Sequence, residues 1–140
     1  MQIMKDLIYD IGVNKGEDTE FYLAKGFRVI GVEANPIIAD YLKSKFQKEI
    51  SSKQFILLNI AITDMHGEAP FYINLDNDHW SSLDRGYGTR NGTRYKIVPV
   101  KCVPLSDVVA EFGTPWYMKI DVECCCPRKI GQIIPVDVRQ

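Results

Sequence analysis

A mixed α/β domain on a parallel, right-handed sheet is the fold class this sequence predicts. Apolar runs alternate with helix-like segments from Leu7 to Leu58, in the order strand, helix, strand, helix, strand. The turn after the first run, Asp10-Ile11-Gly12-Val13-Asn14-Lys15-Gly16, is glycine-rich and opens on an acid. The second run, Val29-Ile30-Gly31-Val32, closes on Glu33. Strand, glycine turn, helix, strand and terminal acid together form the fingerprint of a nucleoside-cofactor half-site.

Each element has a local reason. Residues 7–10 read as a buried strand, and residues 17–25 as a helix stopped by Gly26. Residues 28–33 are a second strand. Asn35-Pro36 is an N-cap followed by proline at the first helical position. Ile37, Ile38, Tyr41, Leu42 and Phe46 then recur at helical spacing among lysines, which predicts an amphipathic helix over 36–49. Phe55-Ile56-Leu57-Leu58 is a third buried strand. Beyond Ile60 the pattern changes. Residues 69–75 and 94–101 favour β-branched and aromatic residues and predict an antiparallel insertion. The polar loop 76–93 lies between them, with Asn91-Gly92 as a hairpin-turn dipeptide. Ser106 is expected to cap a short helix through Glu111. Tyr117 to Val122 is the fourth parallel strand, ending on Asp121 and Glu123.

The glycine spacing, G-x-N-x-G, selects among nucleoside cofactors. A pyrophosphate wants bare backbone N–H groups at a helix N-terminus. Here Asp10 opens the loop, and Glu17, Asp18 and Glu20 crowd the helix start. That charge disfavours a pyrophosphate and suits S-adenosylmethionine, which carries an ammonium and a sulfonium. Acids in a first helical turn also complement the helix dipole, which is an equally good account of Glu17, Asp18 and Glu20.

Asp10 to Pro36, DIGVNKGEDTEFYLAKGFRVIGVEANP, resembles the opening of FkbM-type methyltransferases, a branch of the class I S-adenosylmethionine-dependent enzymes. Further similar segments follow in order: Leu57 to Ile73, Trp80 to Leu83, Val103 to Val109, and Tyr117 to Glu123 (YMKIDVE). The resemblance covers Leu7 to Glu123. It implies a Rossmann-like class I methyltransferase sheet with helices on both faces and an antiparallel insertion. It also implies S-adenosyl-L-methionine as cofactor and O-methylation of a sugar, glycan or secondary metabolite.

The candidate site residues follow. Glu33 is placed to accept hydrogen bonds from ribose hydroxyls. Asp10, Gly12, Asn14 and Gly16 are expected at the methionine end, with Gly16 letting the helix start approach the ligand. Asn59 and Ala61 end the third strand and are expected to border the adenine, although strand-end packing explains them equally well. Asp121 and Glu123 share one strand face at the ligand edge, where a carboxylate can orient an acceptor hydroxyl, take its proton or hold a cation. Lys119 has the same parity and can pair with them. By the resemblance, His79, Trp80, Ser81 and Ser82 lie over the active site, with Trp80 as an acceptor cover or a packing anchor. His66 reads as a turn residue rather than a base. Arg85, Arg90, Arg94, Lys96 and Lys101, interleaved with Tyr87 and Tyr95, read as a solvated face more than as a nucleic-acid grip.

Composition narrows the class. At 140 residues, 46% apolar and 25% charged, the chain is expected to be one globular domain with a real core. A net charge of −1 supplies no field to recruit nucleic acid or an acidic membrane. The N-terminus lacks a long apolar h-region and meets Asp6, so no secretory signal is read there. Cys102 stands alone, and Cys124-Cys125-Cys126 are adjacent, which is neither a disulfide framework nor a zinc spacing. A cytoplasmic setting and no metal are expected.

Two rivals remain. An NAD-dependent oxidoreductase requires a pyrophosphate at the acidic loop. A non-catalytic remnant is suggested by residues 124–140, whose composition departs from the family pattern, which continues with glycine, a helix and further strands. On that reading residues 1–123 are an incomplete domain, 124–140 a divergent tail, and the fourth strand an exposed edge prone to self-association.

Overall fold

The buried apolar runs become a four-stranded parallel sheet. The computed structural model describes residues 2–121, in which β1 (Ile3–Ile11), β2 (Arg28–Val32), β3 (Phe55–Leu58) and β7 (Thr114–Ile120) lie in the order β3-β2-β1-β7. Chain order runs outward from β1 through β2 to β3, then returns to the other side of β1 with β7. That reversal opens a crevice at the carboxyl ends of β1 and β7, where ligands bind in such sheets.

Alternation along the strands feeds two cores. Leu7, Tyr9 and Ile11 of β1 join Ile30 and Val32 of β2 against Leu105 and Val108 of α5 (Leu105–Phe112). Val29 and Phe55 face the other way, against Leu23 of α1 (Glu17–Ala24) and Ile38 and Leu42 of α2 (Pro36–Lys45). The sheet therefore carries helices on both faces. A second sheet, in the order β4-β6-β5, is formed by β4 (Ala61–Ile62), β5 (Gly67–Asn74) and β6 (Tyr95–Val103). β5 and β6 are antiparallel, as expected of the insertion, while β4 runs parallel to β6.

Most expected elements form, and the differences have identifiable causes. β1 starts at Ile3 because Ile3 and Met4 pair with Thr114 and Pro115 ahead of a register shift. The expected helix over 36–49 divides at Phe46, and α3 (Gln47–Ser51) follows. Phe46 leaves helical geometry at φ −107° and ψ 27°, and its ring packs edge-on to Phe55 at 5.1 Å. β6 extends to Val103 because Cys102 and Val103 pair with Ala61 and Ile62. Ser106 is not a cap. Pro104 holds the N-cap position and Leu105, only 1% exposed, enters the core at the first helical residue. The Asn91-Gly92 pair does form a turn, closed by Thr93 N–H to Arg90 O at 3.3 Å. It does not close the hairpin directly, since β5 ends at Asn74 and β6 starts at Tyr95. Inside the long connection, α4 (Arg85–Gly88) is capped by Asp84, whose carboxylate accepts from Tyr87 N–H at 2.7 Å. Among the described residues β7 is a sheet edge with Trp116 exposed. The expectations for Val122, Glu123 and the tail lie outside the described residues.

Gly16 illustrates how packing sets a residue type. Its φ is +85°, and an added Cβ would lie 2.6 Å from Phe46 Cε2. Gly26 has φ +90° but open space around it. Both glycine-to-alanine changes incur the left-handed backbone cost of about 1–2 kcal/mol. Only Gly16→Ala adds an overpacking cost of about 1–3 kcal/mol. Urea unfolding should therefore rank Gly16→Ala as the more destabilised variant. Equal losses would show that Phe46 yields freely.

Candidate functional site at the carboxyl edge of the sheet

The site grows from the turn after β1. Gly12, at φ +88°, bends the chain, and its N–H donates to Val32 O at 2.8 Å, holding the turn against β2. Asn14, at φ +53°, turns it again. The next strand supplies Glu33, whose Oε1 accepts from Asn14 N–H at 2.8 Å and whose Oε2 accepts from Asn35 N–H at 3.0 Å. One carboxylate thus pins both turns at the sheet edge. Asn35 completes the chain of caps by accepting from Ile37 N–H at 3.0 Å.

A single cleft collects residues from both sheets. Gly12, Asn14, Glu33, Asn35 and Asp121 line it from the parallel sheet and its turns. Ile38, Ile60, Ala61, Ile62 and Phe71 supply apolar wall, and Asp78, His79, Ser81 and Ser82 reach it from the insertion loop. Ser82 is held by backbone bonds to Tyr72 in both directions, at 2.8 and 3.0 Å. The loop is tied to the glycine turn by Lys15–Asp78 at 3.3 Å and by Asn14 Nδ2 to His79 Nδ1 at 3.2 Å.

Electrostatically the site is unusual in what it buries. Asp10 is wholly inaccessible; Oδ2 accepts from Thr19 Oγ1 at 2.6 Å, while Oδ1 has no hydrogen-bond partner among the described residues. Burial pushes its carboxyl up to about 6, although the Thr19 bond and the Lys119 charge oppose this. Burial also raises Glu33, against the pull of the Asn35 and Asn14 N–H groups. Asn14 Oδ1 is a second buried acceptor without a partner among the described residues. Lys119 lies opposite Asp10 in the β1–β7 register. Desolvation lowers its ammonium, but the bond to Asp18 and the charges of Asp10, Asp18 and Asp121 outweigh this and raise it.

Of the residues singled out from sequence, Gly12, Asn14, Glu33, Ala61, His79, Ser81, Ser82 and Asp121 meet at the cleft, and Asp10 lies buried at the turn that borders it. Gly16 and Asn59 do not line it. Gly16 packs on Phe46, and the Asn59 amide donates to Glu33 O at 2.8 Å and Ala34 O at 3.1 Å, so Asn59 braces the β2 end. Trp80 is a packing anchor rather than a cover. The Arg90 guanidinium sits 4.1 Å from the ring centres of both Trp80 and Tyr87. Arg94 is paired with Asp76 at 2.7 Å. His66 pairs with Asp107 on α5, away from the cleft. Two of the acids at the helix start are matched to lysines. Asp18 pairs with Lys119, and Glu20 with Lys45 at 3.3 Å. Glu123 lies outside the described residues. Ile38, Ile60, Ile62 and Phe71 escaped sequence reasoning as site residues because an apolar cleft wall has the same pattern as core.

A parallel sheet with its cleft at the topological switch, and an acid after the second strand, defines a Rossmann-like α/β domain. A family model described as the methyltransferase FkbM domain matches residues 10–123, and the chain belongs to that family of methyltransferases. No curated protein and no solved structure matches it significantly. No described helix is long and apolar enough to cross a membrane. The described residues contain no cluster of histidine, cysteine and acidic side chains able to hold a metal ion.

The buried Asp10 predicts a pH signature. Its folded carboxyl, at about 6, stands above the ordinary aspartate value of 3.8. The native state therefore binds this proton more tightly than the unfolded chain. Stability from this group is full below about pH 4 and declines as pH rises through 6, by about 3 kcal/mol in total. Asp10→Asn keeps an acceptor for Thr19 and removes the ionisation. The ligand-free variant should be more stable than wild type by about 1–3 kcal/mol at pH 8, with the gap closing towards pH 4. Chemical denaturation across that range measures it. A gap independent of pH would mean that the carboxylate is well solvated.

Proposed function

We propose that this chain binds S-adenosylmethionine in the cleft and methylates an acceptor hydroxyl on a small molecule or glycan. The observation that carries the reading is the pair of buried, unpartnered acceptors at the glycine turn, Asp10 Oδ1 and Asn14 Oδ1. Acceptors without donors suit an ammonium group and repel a phosphate. Glu33 fits the nucleoside. Each of its oxygens already accepts one backbone N–H and retains a lone pair for a ribose hydroxyl. Asn14, at the cleft, would hold the charged methionine end, the buried Asp10 carboxylate at the bordering turn would attract it at longer range, and the apolar wall of Ile38, Ile60, Ala61 and Phe71 suits the adenine.

Bound there, the cofactor supplies a methyl group on a sulfonium leaving group. The chain's own task is to align the acceptor and manage its proton. Asp121 is placed for this. Its N–H donates to Ile11 O at 2.8 Å, which fixes the residue beside the glycine turn. Its side chain remains 64% exposed, within reach of an incoming substrate, and Lys119 Nζ lies 3.8 Å from its carboxylate. Asp121 would accept the hydroxyl proton. A sugar, glycan or secondary-metabolite hydroxyl fits this chemistry. A cytoplasmic setting fits the free, buried Cys102 thiol. An NAD-dependent oxidoreductase is the less favourable reading, because the same acceptors would face a pyrophosphate.

Calorimetric titration with S-adenosylmethionine, its demethylated product and NAD tests the assignment. The S-adenosyl ligands should bind and NAD should not. Saturable NAD binding with no S-adenosyl response would reverse it. Glu33→Ala should weaken S-adenosyl binding by about 1–3 kcal/mol. Asp121→Asn should leave cofactor affinity nearly intact and lower turnover roughly a hundredfold. Loss of cofactor affinity in equal measure would move Asp121 into the cofactor site.

A further inference from the structure

His79 is the imidazole among the residues lining the cleft, and its ring is held by one specific bond. Asn14 Nδ2 lies 3.2 Å from His79 Nδ1. With the amide nitrogen turned to the ring, as here, Nδ1 is the acceptor. In the neutral ring the proton is then on Nε2. The backbone supports this placement: His79 N–H donates to Asn77 Oδ1 at 3.1 Å, and Asp78 is tethered to Lys15 at 3.3 Å. The other amide atom of Asn14, Oδ1, is the buried acceptor already described.

We propose that His79 is a positioning residue for the methyl acceptor, with its tautomer set by Asn14. In this role its Nε2–H is the donor offered to the acceptor, from a residue that lines the cleft. A hydroxyl group both accepts and donates, so it can accept from His79 Nε2–H while donating to Asp121. The two partners come from different sheets, Asp121 after β7 and His79 from the β5–β6 connection. The arrangement suits an acceptor group that takes one hydrogen bond and gives another, as an alcohol does. Charged groups around the ring are Asp78, whose Oδ1 is 3.8 Å from Nε2, Lys15 beyond it, and Glu33 and Asp121 in the same cleft. Asp78 is turned towards Lys15 and leaves the ring 62% exposed for a substrate. The inference rests on the proposed methyltransferase reading for the identity of its ligands, but the tautomer does not depend on it.

Nitrogen-15 NMR of the histidine ring, at a pH where the ring is neutral, tests this without an acceptor. Wild type should show Nδ1 as the unprotonated nitrogen and Nε2 as the protonated one. Asn14→Ala should lose that preference. Lys15→Ala, which releases Asp78 but keeps Asn14, should retain it. A protonated Nδ1 in wild type would show that Asn14 presents its oxygen to the ring and would overturn the proposal. So would a tautomer unchanged in Asn14→Ala. Titration with S-adenosylhomocysteine separates the two readings. Asn14→Ala should weaken it about tenfold or more through the lost acceptor. No binding to wild type, with the Nε2–H tautomer intact, would sink the cofactor assignment and leave the His79–Asn14 pair standing.

Discussion

The double hydrogen bond accepted by Glu33 is the constraint on which the site's geometry depends. Its two oxygens take the N–H groups of Asn14 and Asn35, one from each of the first two strand-to-helix turns. Without it the glycine turn and the α2 cap would both lose a fixed partner at the sheet edge. The bond is made at only 9% exposure, where burial raises the carboxyl. Two N–H donors offset part of that desolvation, so the charge is tolerated where a ligand can use it.

Around this edge, among the described residues, the protein separates paired charge from unpartnered acceptors. Asp18, Glu20 and Asp76 are each matched to a cation, by Lys119, Lys45 and Arg94. Asp10 receives only a hydroxyl bond from Thr19, and Asn14 keeps an unpartnered carbonyl oxygen. Exposed pairs contribute little to stability, whereas buried unmatched acceptors lower it. Retaining that cost at the glycine turn is the feature on which the proposed cofactor reading rests.

The second sheet turns an open edge into a cleft. Asn74 is its pivot: Nδ2 donates to Gly88 O at 2.9 Å and Thr93 Oγ1 at 2.6 Å, while Oδ1 accepts from Asp76 and Asn77 N–H at 3.0 and 2.8 Å. These bonds shape the long connection so that Asp78, His79, Ser81 and Ser82 reach the sheet edge. The Trp80–Arg90–Tyr87 stack packs the same connection.

The sequence alone determined the parallel α/β frame, the helix limits at Gly26 and Asn35-Pro36, and the grouping of Gly12, Asn14 and Glu33. Those features are written in local periodicity and turn chemistry, which act over a few residues. Tertiary structure decided the rest. Phe46 breaks its helix to reach Phe55, and Gly16 is glycine because that same ring occupies its Cβ space. Asn59 braces β2 instead of facing the cleft. Asp18 and Lys119 pair across a sequence distance that no local pattern encodes. The resemblance set His79 over the site, but its bond to Asn14 exists only once the insertion folds back. Chain segments far apart in sequence compete for the same few ångströms, and only their packing settles which side chain faces a ligand and which faces a neighbour.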